Sequence, residues 1–102
     1  MSLSIEKGFN KEEKFWEFKV KGEVDVSNAD QLRDELNDAY TKDPTNLKID
    51  LADLSYLDST GLGVLIGMYG KVRKEGHVLT LLNPRDNVKK LLRITNLDKV
   101  LL

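Results

Sequence analysis

Residues 47–66 read Leu47-Lys48-Ile49-Asp50-Leu51-Ala52-Asp53-Leu54-Ser55-Tyr56-Leu57-Asp58-Ser59-Thr60-Gly61-Leu62-Gly63-Val64-Leu65-Ile66. The stretch opens on Leu47, Ile49 and Leu51, alternating with polar residues as a half-buried strand does. It closes on Leu62, Leu65 and Ile66, which continue through Tyr69 and Val72 at i, i+3, i+4 spacing, the apolar stripe of a helix. Asp53 to Asp58 reads as the connection between them. A strand leading into a helix is half of a strand–helix–strand unit, and such units carry parallel strands joined by right-handed crossovers.

The same grammar extends in both directions. Downstream, Gly76 ends the helix, and His77 to Leu82 is an almost unbroken apolar strand of the kind buried on both sides. Asn83-Pro84 reads as cap and first residue of a further helix, with Val88, Leu91, Leu92 and Ile94 as its apolar positions and Asn96 as its stop. Val100-Leu101-Leu102 reads as a last strand or edge segment. Upstream, Leu3 and Ile5 mark a short strand. In Phe15-Trp16-Glu17-Phe18-Lys19-Val20-Lys21, Trp16, Phe18 and Val20 share one face and the charged residues the other. These two strands predict an antiparallel hairpin. Ser27, with Asp30 three residues on, approximates a capping box. Ala29, Leu32, Leu36 and Ala39 then give a helix with one buried face, broken at Asp43-Pro44. The expected fold is α/β in the order β-β-α-β-α-β-α-β, a mixed sheet with helices mainly on one face.

A chain of 102 residues fits one domain, expected to span 1–102. Hydrophobic residues make up 40% and charged residues 32%, a globular balance. With no cysteine, disulfides, thiolate metal sites and cysteine catalysis are excluded. No apolar run reaches the ~20 residues of a membrane span, and no signal-peptide pattern opens the chain. The first 51 residues carry 8 basic and 12 acidic side chains and the last 51 carry 8 and 5. This is either two solvated surfaces or a polarised one that steers a charged partner. Lys71, Arg73, Lys74, Lys89, Lys90 and Arg93 have no aromatic residues among them, and the net charge is -1. Direct nucleic-acid binding is therefore not expected.

Ser59 is the residue with chemistry to offer. A hydroxyl at a helix start caps the helix or receives a phosphate, because unpaired N–H groups and the positive helix end favour an anion. A nucleophilic role needs a neighbouring base. The single histidine, His77, lies beyond the far end of the same helix, about 27 Å away at 1.5 Å per residue. It reads as an ordinary strand-edge residue. Asp50, Asp53 and Asp58 are too dispersed for paired-carboxylate chemistry, and no phosphate-cradling loop with lysine is present. No cofactor or metal is expected. Gly63, Gly67 and Gly70 share one helix face away from the leucine stripe. Either that face packs closely on the sheet or a neighbouring helix, or it offers a smooth surface to a partner; periodicity does not separate the two.

The segment Asp53 to Val64, with Tyr56-Leu57-Asp58-Ser59-Thr60-Gly61-Leu62-Gly63 at its centre, resembles the signature of the anti-sigma-factor antagonists, bacterial proteins built on the STAS domain. The general-stress type of Gram-positive bacteria is the nearest in pattern. Gly22-Glu23-Val24-Asp25 is similar to the family's glycine-acid-apolar-acid element, which lies near the serine in the fold. The resemblance covers nearly the whole chain and implies the same arrangement of strands and helices. It implies a binding module and kinase substrate rather than an enzyme, working in the cytoplasm by partner switching. The unphosphorylated form would bind an anti-sigma factor that is also a serine kinase, freeing a sigma factor. Phosphorylation of Ser59 would switch it off, and a serine phosphatase would restore it. Asp25, Asp58, Thr60, Gly61, Gly63 and Gly67 are the expected partner-binding residues, with no membrane partner and a monomeric state. The alternative is a STAS-domain scaffold or regulatory module of another signalling or transport system.

Overall fold

The computed structural model describes residues 2–102. Two strands, β1 (Leu3–Asn10) and β2 (Phe15–Val24), form an antiparallel hairpin in register from Leu3 opposite Gly22 to Asn10 opposite Phe15. Helix α1 (Ala29–Lys42) crosses to β3 (Asn46–Asp50), which pairs parallel with the first half of β2. A short strand β4 (Leu54–Leu57) then pairs parallel with the second half of β2. Helix α2 (Ser59–Lys74) returns to β5 (Leu79–Leu82), parallel to β3, and α3 (Asp86–Ile94) and α4 (Asp98–Leu101) close the chain. The five-stranded mixed sheet runs β1-β2-β3-β5, with β4 beside β2 beyond the end of β3.

The alternation along β2 decides which face of the sheet is covered. Trp16, Phe18 and Val20 are buried while Glu17 and Lys19 are exposed. Leu47 and Ile49 of β3 and Leu79 and Leu81 of β5 join the same core. All four helices feed that core: Ala29, Leu32, Leu36, Ala39 and Tyr40 from α1, Leu62, Leu65, Met68 and Val72 from α2, Val88 and Leu92 from α3, and Leu101 from α4. The helices therefore cover one face and leave the charged face bare, as the sequence predicts.

Four local expectations are corrected. The segment 53–58 contains a strand rather than only a connection. Its burial pattern, Leu54 and Leu57 in and Ser55 and Tyr56 out, lacks alternation because the register shifts at Gly22 and Glu23. The C-terminal apolar run is helical, not extended: Leu97 and Leu101 are one helical turn apart, and the Leu101 N–H donates to the Leu97 carbonyl at 2.9 Å. Helix α3 begins at Asp86 instead of Pro84, because Asn83 adopts the left-handed conformation (φ 54°) and ends the strand. In α2, Met68 takes the buried position expected for Ile66, which is exposed. The helix stops are as read. Gly76 (φ 85°) and Asn96 (φ 60°) each follow a C-cap in the left-handed conformation. His77 and Leu97 then donate back to the carbonyls of Val72 and Leu92, closing Schellman turns.

Candidate functional site

The ends of two parallel strands assemble the site. Val24 and Leu57 are register partners at the ends of β2 and β4, and the Asp58 N–H donates to the Val24 carbonyl at 3.2 Å. The chain that follows β2 carries Asp25; the chain that follows β4 carries Asp58 and Ser59. Residues 33 positions apart in sequence thus meet at one edge of the sheet, beneath the start of α2.

Asp58, not Ser59, caps the helix. Its backbone is extended (φ -96°, ψ -176°) and its Oδ1 accepts from the Gly61 N–H at 2.9 Å. An aspartate there satisfies one of the free N–H groups and sets a negative charge against the positive helix end. Ser59 becomes the first helical residue. It is exposed, and among the described residues its hydroxyl has no hydrogen-bond partner. The capping alternative for Ser59 is thereby removed, and its hydroxyl faces solvent.

Asp25 sits in a turn of its own. Its Oδ1 accepts from the Ser27 hydroxyl at 2.5 Å and the Ser27 N–H at 2.9 Å. The Ser27 hydroxyl holds the carboxyl below its ordinary value; desolvation opposes it, and the backbone N–H groups of Ser27 and Asn28 add to the lowering. Asn28 is the N-cap position of α1, where Ser27 was expected. Its side chain instead ties the turn shut, accepting from the Asp25 N–H and donating to the Glu23 carbonyl, both at 2.9 Å. Between them Val26 is 77% exposed, an apolar side chain standing free at the site's edge. Sequence reasoning passed over Val26 and Asn28; an apolar residue flanked by Asp25 and Ser27 was the available signal.

The glycines of α2 divide by environment. Gly61 is buried, and a methyl group on it would stand 2.5 Å from Leu57 Cδ1 and 2.7 Å from Val24 Cγ1. Expected on the partner surface, it instead lets the helix start close against β2 and β4. Gly63, Gly67 and Gly70 are the reverse: a methyl group on any of them meets nothing within 4 Å. Close packing against the sheet or another helix is therefore not their reason. Thr60, Gly63 and Gly67 line a groove of about 400 Å³ between α1 and α2, with Arg33 and Lys71 on its rims. Arg33 is held by Asp30 at 2.9 Å, and Lys71 donates to Asn37 Oδ1 at 2.7 Å.

His77 belongs elsewhere. Its Nδ1 lies 2.8 Å from the Tyr40 hydroxyl, past the C-terminal end of α2. Among the described residues, no cluster of histidine, cysteine, aspartate or glutamate is able to hold a metal ion, and no helix is long and apolar enough to cross a membrane.

The STAS-domain family model matches residues 9–102. The chain belongs to the STAS-domain family of anti-sigma-factor antagonists. It is 39% identical over 82 residues to the anti-sigma-B factor antagonist of Bacillus subtilis, covering 80% of this chain and 74% of that one. It is 32% identical over 101 residues to the anti-sigma-B factor antagonist of Staphylococcus aureus, covering 99% and 92%. The solved structure of the Bacillus cell-fate determinant SpoIIAA in its phosphorylated form shares the fold, with a TM-score of 0.76 over 99% of this chain and 89% of that one, at 22% identity. STAS antagonists are regulatory binding proteins, and the site above has the character of a surface rather than of an enclosed reaction centre.

Proposed function

We propose that this protein is an anti-sigma-factor antagonist whose affinity for its partner is set by phosphorylation of Ser59. The free form binds an anti-sigma factor that is also a serine kinase, and so releases a sigma factor in the cytoplasm. In the reverse step the Ser59 oxygen bonds the γ-phosphorus of ATP, the bond to ADP breaks, and the hydroxyl proton passes to a base on the kinase. A serine phosphatase removes the phosphate. The protein acts as a monomeric module, with Asp25, Asp58, Thr60, Gly63 and Gly67 around the contact.

One observation carries this reading: Asp58 takes the cap and leaves the Ser59 hydroxyl exposed and unpartnered among the described residues. A phosphate adds about -1.5 to -2 charges at neutral pH. No lysine or arginine lies between Lys48 and Lys71 in sequence, and Arg33 across the groove is already paired with Asp30. A phosphate placed against a desolvated partner would thus be poorly matched, and affinity should fall by about a hundredfold or more. The test is incubation with the cognate anti-sigma factor and ATP, followed by mass spectrometry and calorimetry. Ser59→Ala should bind and resist phosphorylation, and Ser59→Asp should bind weakly. Stoichiometric phosphorylation of Ser59→Ala, or equal affinity of the two natural forms, refutes the proposal.

A further inference from the structure

The strand that delivers Ser59 is thinly held. β4 has four residues, and it pairs with only three positions of β2, across a register shift. Among the described residues, its other edge has no strand beside it. There the connection from β5 and the first turn of α3 lie alongside, and alternate side chains reach across from them. Asn83 Nδ2 donates to Asp50 Oδ1 at 3.3 Å, Arg85 Nε to the Ala52 carbonyl at 2.9 Å, and Asn87 Nδ2 to the Ser55 carbonyl at 2.8 Å. Donors 83, 85 and 87 meet acceptors 50, 52 and 55 in the same order, from the end of β3 through the turn into β4, where Ser55 is the one acceptor in the strand itself. Two of the three acceptors are main-chain carbonyls of the segment that ends at Asp58 and Ser59.

We infer that Arg85 and Asn87 are positioning residues for the phosphoacceptor: they hold the 52–57 backbone so that Asp58 caps α2 and the Ser59 hydroxyl stands in a fixed place. The inference rests on the reading of Ser59 as the switch. Neither residue touches Ser59; both act through the main chain that precedes it. Asn87 lies in the first turn of α3 and both side chains are exposed, so they contribute no core packing.

Asn87→Asp separates this role from a structural one. The substitution keeps size and shape, removes the N–H donor, and places a carboxylate in the first turn of α3, where the helix dipole favours it. The melting temperature should hold or rise. Amide hydrogen exchange from Leu54 to Asp58 should quicken by up to about fivefold, the factor of one lost hydrogen bond, with β3 and α1 unchanged. With the cognate serine kinase, kcat/KM for phosphorylation of Ser59 should fall. Arg85→Met, which keeps the apolar stem and loses the donor, should act in the same direction, and Arg85→Lys, which restores a donor, should recover wild-type exchange. Unchanged exchange at 54–58 in both Asn87→Asp and Arg85→Met overturns the inference, as does faster exchange with unaltered kcat/KM. Failure of the wild-type chain to be phosphorylated at Ser59 would sink the switch reading instead, while the exchange data would still report on the clamp.

Discussion

Gly67→Ala sets helix stability against partner binding at one position. Gly67 is the ninth residue of the 16-residue α2, exposed, and a methyl group added to it meets nothing within 4 Å. Alanine in an exposed helix interior is favoured over glycine by about 0.8–1.0 kcal/mol. In a domain of this size that raises the melting temperature by roughly 4–8 °C. If a partner's backbone lies on the glycine face, the same methyl group overpacks the interface at a cost of about 1–3 kcal/mol. The dissociation constant then rises by about 5- to 150-fold. Thermal unfolding of the free protein and calorimetric titration with the cognate anti-sigma factor measure the two quantities separately. A lower melting temperature refutes the open-space argument. A stabilised variant with wild-type affinity refutes the docking role and leaves the glycines unexplained.

Three further outcomes follow from the same geometry. Gly61→Ala should move stability the other way, because its methyl group meets Leu57 and Val24 at 2.5 and 2.7 Å; a melting temperature at or above wild type contradicts the close packing there. Asp58→Ala should cost about 1 kcal/mol through loss of the cap, and Asp58→Asn should recover most of it by urea titration. Burial, and then the Glu75 carboxylate, push the Tyr40 hydroxyl above its ordinary value. Below pH 10 both folded and unfolded chains keep that proton and stability is unaffected. Above it the unfolded chain ionises first, so stability falls as pH rises toward the folded value. Tyr40 should titrate late in the folded protein by ultraviolet absorbance, and Tyr40→Phe should remove that component and flatten the alkaline loss.

The strongly periodic segments were legible from sequence. The alternation in Phe15–Lys21 and the leucine spacing of α1 located their elements and buried faces. Asp58 followed by Ser59 located the start of α2, and the resemblance assigned the serine its role. Most of what escaped was decided outside the segment itself, often by residues distant in sequence. β4 has no periodicity of its own because Gly22, at φ 100°, shifts the register of its partner. The terminal run Val100 to Leu102 suits a strand locally, and only Leu97, one helical turn before Leu101, argues otherwise. Gly61 and Gly67 look alike in sequence, but a methyl group at Gly61 would meet Leu57 and Val24, the latter 37 positions away, whereas one at Gly67 meets nothing within 4 Å. Arg85 and Asn87 carry no motif, since their acceptors are main-chain carbonyls.

Trp16 gives β2 a use in fluorescence. It is the only tryptophan, 7% exposed, with its indole N–H donating to the Asp43 carbonyl at 3.0 Å and its ring 5.0 Å from that of Phe9. It is the second residue of the same strand whose last residue, Val24, supports Asp58. Eight residues of extended chain separate them, about 26 Å. Native emission should therefore be blue-shifted and indifferent to what docks beside Ser59, and should redden only when the sheet itself comes apart. An unlabelled sample then reports its folded fraction optically while a second signal follows complex formation. In a mixture with a partner that has tryptophans of its own, Trp16→Phe supplies the blank.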